Sequence, residues 1–202
     1  MGLQIGDIVP RREVKFEDLR GKVIAVDAFN AIYQFLSSIR QPDGTPLMDS
    51  NGDVTSHLSG LFYRNISLMA EGIKLIYVFD GEPPELKQKT GKIRSESREV
   101  ARGKYEQAKE SEDIDRMRRY SSQLTRLDDT MIEESKELLQ AMGIPVVQAP
   151  GEGEAEAAHL NKINNDIHGI VSQDYDSLLF GAKRLIRNLT VSRRRKTYSG
   201  YI

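Results

Sequence analysis

Cysteine and tryptophan are both absent from the 202 residues. The lack of cysteine excludes a disulfide framework, thiolate-bound metals and a cysteine nucleophile. No stretch approaches the roughly 18 consecutive apolar residues of a membrane span. The opening MGLQIGDIVPRREV lacks the apolar centre of a signal peptide. A soluble, intracellular protein of cytoplasm or nucleus is the expectation, with no membrane as partner. Neither sign of charge is in excess, with 29 Lys and Arg against 30 Asp and Glu and a net charge of −1. Overall charge therefore argues neither for nor against a nucleic-acid partner. Several catalytic signatures are missing as well. There is no GxxxxGK[ST], no GxGxxG opening a helix after a strand and no GxSxG, and His57, His159 and His168 do not stand in HExxH spacing.

What is present reads as a globular α/β chain. Hydrophobic residues make up 39% and charged residues 29%, too apolar for disorder. Five short apolar runs have the look of strands: Lys22–Val26, Ile73–Phe79, Ile144–Gln148, Ile167–Ser172 and Leu185–Leu189. They alternate little, which suits strands covered on both faces of a parallel sheet. Helical patterns lie between them, at Asp27–Ile39, Ser56–Glu71 and Thr130–Met142. In the last, Thr130 and Glu133 stand at capping-box spacing and Gly143 is a stop signal. Strands alternating with helices predict a mostly parallel central sheet flanked by helices. Gln41–Asp53, with two prolines and two glycines, reads as a loop.

Residues 85–129 differ from the rest. Twelve basic and ten acidic residues crowd there, with few large apolar ones. The expectation is a charged, helical, solvated and mobile insertion standing off the sheet.

Acids recur where strands end. VIAVD finishes at Asp27, LIYVFD at Asp80, and GIVSQDYD carries Asp174 and Asp176. IPVVQ leads into APGEGEAEAA, with Glu152 and Glu154. Parallel strands bring all six to one edge of the sheet, where open α/β folds bind ligands. Glu152 and Glu154 converge only if the first precedes the helix or sits at its start, since residues two apart on a helix face different ways. Two carboxylates about 4 Å apart repel by about 4 kcal/mol at an effective dielectric of 20. Six together call for cations, and an oxygen-only set suits Mg²⁺ or Mn²⁺. Two such ions ~3.5–4 Å apart hydrolyse phosphodiesters. Each acid taken singly has a plainer reading: Asp27 as a helix cap, Asp80 as a turn residue, the glutamates as an acidic first turn.

VDAFNAIYQFL, TSHLSGLFYR, YVFDGEPPELK, APGEGEAEAA and SQDYDSLLFG, in this order and spacing, resemble the structure-specific 5′ nucleases, and most of all the archaeal and eukaryotic flap endonuclease family. The resemblance covers essentially the whole chain and implies one PIN-like nuclease domain over 1–202. It implies a divalent-metal phosphodiesterase that removes 5′ flaps from branched DNA in replication and repair. The family's metal-binding carboxylates fall on Asp27, Asp80, Glu152, Glu154, Asp174 and Asp176. Its helical arch and gateway fall on 85–129, with Lys87 and Arg94 holding the scissile phosphate. Tyr33 matches a tyrosine that stacks beside the scissile bond, and Arg40 and Arg64 match residues near the DNA backbone. Thr55 lies where the family grips a 3′ flap. A sliding clamp is the implied partner, through a peptide beyond the stretch matched here. Family members continue well past this length, so the chain resembles an N-terminal portion, expected to bind DNA more weakly than a complete enzyme. Two other readings remain open from the residues. One is a non-catalytic DNA-binding fragment. The other is a phosphatase using Asp174 of the DYD as nucleophile.

Overall fold

The computed structural model describes residues 5–82, 99–124, 126–190, 196–197 and 200–201. Five strands form one sheet: β1 (Val23–Asp27), β2 (Lys74–Phe79), β3 (Val146–Gln148), β4 (Ile167–Val171) and β5 (Leu185–Ile186). Every pairing is parallel and the order is β3-β2-β1-β4-β5. The chain builds outward from β1 through β2 to β3, then returns to the other side of β1 for β4 and β5. The progression reverses between β1 and β4. That is the topological switch point, where an open α/β sheet leaves a crevice at its carboxyl ends. A separate antiparallel hairpin joins β6 (Lys196–Thr197) to β7 (Gly200–Tyr201).

Both faces of the sheet are covered, as the unbroken apolar runs predict. Alternate residues serve opposite faces. Ile24, Val26, Leu75, Tyr77 and Phe79 belong to the larger core cluster, with Ala31, Ile32, Phe35, Leu61, Leu68 and Leu139 from the covering helices. Ala25, Val78 and Ile170 face the smaller cluster, with Ala157 and Ala158. The first layer contains α1 (Ala28–Ser38), α2 (Ser56–Ala70) and α5 (Asp129–Ala141), and the second contains α6 (Gly153–Ile163). In α1, residues 28, 31, 32, 35 and 36 are buried, the 3–4 spacing of one helical face. Burying a residue such as Phe35 or Leu36 stabilises by about 1.5–3 kcal/mol. Gly60 of α2 lies against the Phe35 ring so closely that a Cβ there would collide with it. The glycine sets how near α1 and α2 approach.

Two polar contacts run inside the first layer. The Tyr77 hydroxyl donates to Asn65 Oδ1 at 2.8 Å, fully buried. His57, also fully buried, has Nε2 3.1 Å from Glu134 Oε2, so it is a packing histidine. Among the described residues no helix is long and apolar enough to cross a membrane.

Three sequence expectations need correction. The cap of α5 is Asp128, whose extended backbone lets its carboxylate accept the Met131 N–H at 2.9 Å, so Thr130 already lies inside the helix. Gly143 does end this region, with φ at +72°. The third and fifth strands are shorter than their apolar runs. β5 pairs only with β4, and Asn188, two residues past its end, turns left-handed at φ +64°. The charged insertion is partly described: a helix α3 over 99–110 and α4 (Ile114–Ser121). Both are helical, as predicted, but they pack more than predicted. Ala101 and Ala108, two turns apart on α3, are buried. Ser121, at the end of α4, is buried and donates to the Gly44 carbonyl at 2.6 Å. Small residues and one backbone carbonyl make this contact, which is why counting large apolar side chains missed it. Gly44 belongs to the 41–53 loop, whose strand-like bridges Arg40–Pro46 and Met48–Val54 give it more order than a plain loop.

Candidate active site

Asp27 is the last residue of β1 and the cap of α1. Its carboxylate accepts the Asn30 N–H at 3.0 Å. The cap reading of Asp27 is therefore correct. The side chain is buried, only 5% exposed, at the switch point. Burial pushes its carboxyl up to about 7; the Asn30 N–H works against the shift, and the nearby charges of Glu154, Asp80 and Asp174 add to it. These three acids come from three other segments, so the sheet gathers four acidic chain positions around one buried carboxyl.

The neighbours are placed by the ends of strands and helices. Asp80 directly follows β2, and its Oδ1 accepts the N–H of Gly153 at 2.7 Å, at the start of α6. A negative group at a helix N-terminus is favoured there by unpaired N–H groups and the helix dipole. Glu152 is the residue before α6, extended at φ −74° and ψ 128°, and Glu154 lies within its first turn. This is the irregular entry that lets the two glutamates approach the same rim. Gly153 between them is obligatory for the fit, because a Cβ would stand 2.7 Å from Asp80 Oδ1. Asp174 follows β4, and Asp176 opens the short helix α7 (Asp176–Leu179). All six predicted acids thus lie at the carboxyl rim. Among the described residues, however, no three such side chains are drawn together tightly enough to enclose an ion.

Two residues that the sequence reading passed over tie this rim together. Asn30 donates from Nδ2 to Asp174 Oδ2 at 3.3 Å and accepts the Gln173 N–H at 3.1 Å. With its own N–H on Asp27, it spans the switch point. Ser172 donates to Glu154 Oε1 at 2.8 Å, lies 3.5 Å from Asp27 Oδ2, and accepts the Asp174 N–H at 3.2 Å. Both stand within three residues of a predicted acid. Only the strand order reveals that β1 and β4 are adjacent, so sequence spacing alone could not pair them.

The remaining predicted residues are more dispersed. Tyr33 on α1 is 42% exposed, on the open surface rather than in the core. Arg40 donates to the Gly44 carbonyl at 2.8 Å and to Ser121 Oγ at 3.2 Å, so its guanidinium joins the loop to the end of α4. Thr55 precedes α2 and its N–H donates to the Leu47 carbonyl at 2.8 Å. Arg64 is half-buried on α2. Lys87 and Arg94 lie outside the described residues.

The donor chemistry fits hard cations. All six ligand candidates are carboxylates, and no histidine or sulfur competes. Burial and the neighbouring acids both disfavour the charged form of Asp27, and a bound cation would favour it. Fold and site together define a doubly wound α/β domain with an acidic, cation-suited centre at its switch point.

Comparison with known proteins gives the family. The XPG N-terminal domain matches residues 4–101 and the XPG I-region matches 143–201. Flap endonuclease 1 of Pyrococcus furiosus is 58% identical over 196 residues, which is 97% of this chain and 57% of that protein. The solved flap endonuclease-1 from Methanococcus jannaschii superposes with a TM-score of 0.72 at 48% identity, over 95% of this chain and 61% of the other. The catalytic core of Rad2 in complex with DNA substrate superposes with a TM-score of 0.64 at 32% identity, over 91% of this chain and 47% of the other. The chain belongs to the XPG family and spans a little over half the length of the curated relatives it matches.

Proposed function

We propose that this chain is the nuclease domain of a structure-specific enzyme that hydrolyses a phosphodiester at the junction of a 5′ DNA flap, with Mg²⁺ as cofactor and two ions at work. The observation that carries this reading is Asp27: a carboxyl at the switch point raised first by its burial and further by the charges of Glu154, Asp80 and Asp174 beside it. Held by these carboxylates, divalent cations would supply charge neutralisation of the phosphate, activation of a water and stabilisation of the leaving 3′ oxygen; Mn²⁺ suits the same oxygen donors. Asp27, Asp80, Glu152, Glu154, Asp174 and Asp176 supply those donors. Asn30 and Ser172 fix where three of them point, and the α6 N-terminus fixes Asp80.

The other residues act on the DNA. Tyr33 offers an exposed ring beside the rim for a base to stack on, worth about 1–3 kcal/mol per base. Lys87 and Arg94 neutralise the scissile phosphate as charge develops. Residues 85–129 act as an arch over the rim. Arg40, which joins the 41–53 loop to the end of α4, holds the foot of that arch near the DNA backbone. Thr55 and Arg64 line the duplex approach.

A labelled 5′-flap duplex with Mg²⁺, and Asp80→Ala alongside, tests the reading. Cleavage near the junction that the substitution removes is the expected result. Binding without cleavage would reduce the chain to a DNA-binding fragment, and release of free phosphate from a monoester would point to phosphatase chemistry instead.

A further inference from the structure

Outside the acidic rim, one cluster of contacts converges on a side chain that none of the roles above uses. Tyr175 lies between Asp174 and Asp176, and its ring is buried at 8% exposure. Arg187, just past β5, donates from Nη1 to the Tyr175 hydroxyl at 2.6 Å. Its guanidinium carbon sits 4.5 Å from the centroid of the same ring. Its Nε donates to the Gln173 carbonyl at 3.1 Å. One guanidinium therefore grips the residue before Asp174 and the residue after it. The N-terminal segment also passes Tyr175 at Gly6, where a Cβ would stand 2.8 Å from the hydroxyl. An arginine fork and a glycine backbone both meet Tyr175.

We propose that Arg187 is a positioning residue: through Tyr175 and the Gln173 carbonyl it holds the 173–176 turn, and so sets where Asp174 and Asp176 present their oxygens. The inference rests on the proposed reading that these acids hold a cation. The chemistry favours arginine in particular. Two donors in a rigid fork, plus a flat cation over an aromatic face, are what a guanidinium supplies and an ammonium does not. No acid neutralises Arg187 among the described residues, and its three contacts, two with Tyr175 and one with Gln173, all fall on this one turn. Outer contacts that orient metal-binding side chains change metal affinity by about 10–100-fold when removed.

The absence of tryptophan makes a direct test possible. Tb³⁺ takes oxygen ligands, and its emission is sensitised by a nearby tyrosine without tryptophan competing for the exciting light. The 202-residue chain is titrated with Tb³⁺ in the absence of DNA, together with Arg187→Met, Arg187→Lys and Tyr175→Phe. Mg²⁺ displacement gives affinities for the physiological ion, calorimetry with Mg²⁺ gives them for Tyr175→Phe, which removes a sensitising ring, and thermal melting controls for folding. The expected result is Mg²⁺ affinity about tenfold weaker in Arg187→Met, intermediate in Arg187→Lys, and weakened in Tyr175→Phe, which loses only the hydroxyl that accepts from Arg187. Parallel cleavage assays should show the loss as a raised Mg²⁺ requirement that excess Mg²⁺ largely restores. Should Arg187→Met prove unfolded, Tyr175→Phe alone decides. Unchanged affinity in folded variants, with the parent binding normally, overturns the clamp and leaves the metal reading standing. A parent chain that binds neither ion overturns both.

Discussion

The N–H of Gly153 donates to the carboxylate of Asp80 at 2.7 Å, and the position that a Cβ on Gly153 would take is also 2.7 Å from that oxygen. The same glycine thus supplies the contact and leaves the room for it. Gly153→Ala forces the Asp80 carboxylate off the end of α6 or tilts the helix away from the rim. Misplacing a catalytic group by about 1 Å can cost about 100-fold in rate. The expected outcome is a fall of that order in Mg²⁺-dependent flap cleavage, with a much smaller change in melting temperature, because alanine is otherwise a good helix residue. Full activity in a folded variant would show that Asp80 is not held where the chemistry needs it.

Asn30 joins α1 to the turn after β4 through the Asp174 carboxylate and the Gln173 N–H. Asn30→Ala removes both while leaving the backbone N–H that Asp27 accepts. Asp27 therefore stays capped and the fold persists. The prediction is weaker Mg²⁺ affinity by about 10–100-fold, measured by calorimetry without DNA. Ser172→Ala, which frees Glu154 and the Asp174 N–H instead, should act in the same direction. The double variant should show less than the sum of the two, since both meet at Asp174.

Much of this site was legible in the sequence, for a physical reason. Strand-ending acids announce themselves because a strand's apolar run stops where its carboxyl end meets solvent. Parallel strands, inferred from runs without alternation, then put Asp27, Asp80 and Asp174 on one edge. Glu152 and Glu154 could be placed by helix geometry alone, as a residue before the helix and one in its first turn. Asn30 and Ser172 were not legible. An asparagine in a first helical turn and a serine after a strand are ordinary residues until the β1–β4 adjacency brings them together. The packing of α3 and α4 escaped for a related reason. Alanines and a serine hydroxyl bury little apolar area, so Ala101, Ala108 and Ser121 leave no periodic signal.

Ser121 and Arg40 meet at the Gly44 carbonyl, with distances of 2.6 and 2.8 Å. They are the described tie between the charged insertion and the body of the protein. Ser121→Ala removes two hydrogen bonds, the one to the Gly44 carbonyl and the one from Arg40, about 1 kcal/mol each, and loosens the foot of α4. Hydrogen exchange should rise in residues 114–121 while the sheet amides stay protected. Mg²⁺ affinity without DNA should not move, because no acid of the rim contacts this tie. Cleavage of a flap substrate should fall by several-fold at most. A change in metal binding would contradict the separation of the two regions.

Asp27 gives the pH dependence its sign. Its carboxyl, ordinarily near 3.8, is raised to about 7 by burial and by the acids beside it. The folded chain therefore keeps a proton between about pH 4 and pH 7 that the unfolded chain has released. Stability falls with pH wherever the folded state holds more protons, so the metal-free protein should lose stability as pH rises through that window. A shift of about three units corresponds to about 4 kcal/mol. Asp27→Asn removes the titrating group while keeping an oxygen to accept the Asn30 N–H. The variant should melt higher than the parent at pH 8 without metal and equal to it near pH 4. Added Mg²⁺ should raise the parent's melting temperature most at the alkaline end, where Asp27 is ionised, and barely raise the variant's. Flap cleavage by the variant should be abolished at every pH. Melting curves across pH 4–8, with and without Mg²⁺, decide the matter: a parent whose stability rises from pH 5 to pH 8 without metal would mean that Asp27 is already neutralised by something other than a proton, and the crowding of acids at the switch point would not be the source of the cation site.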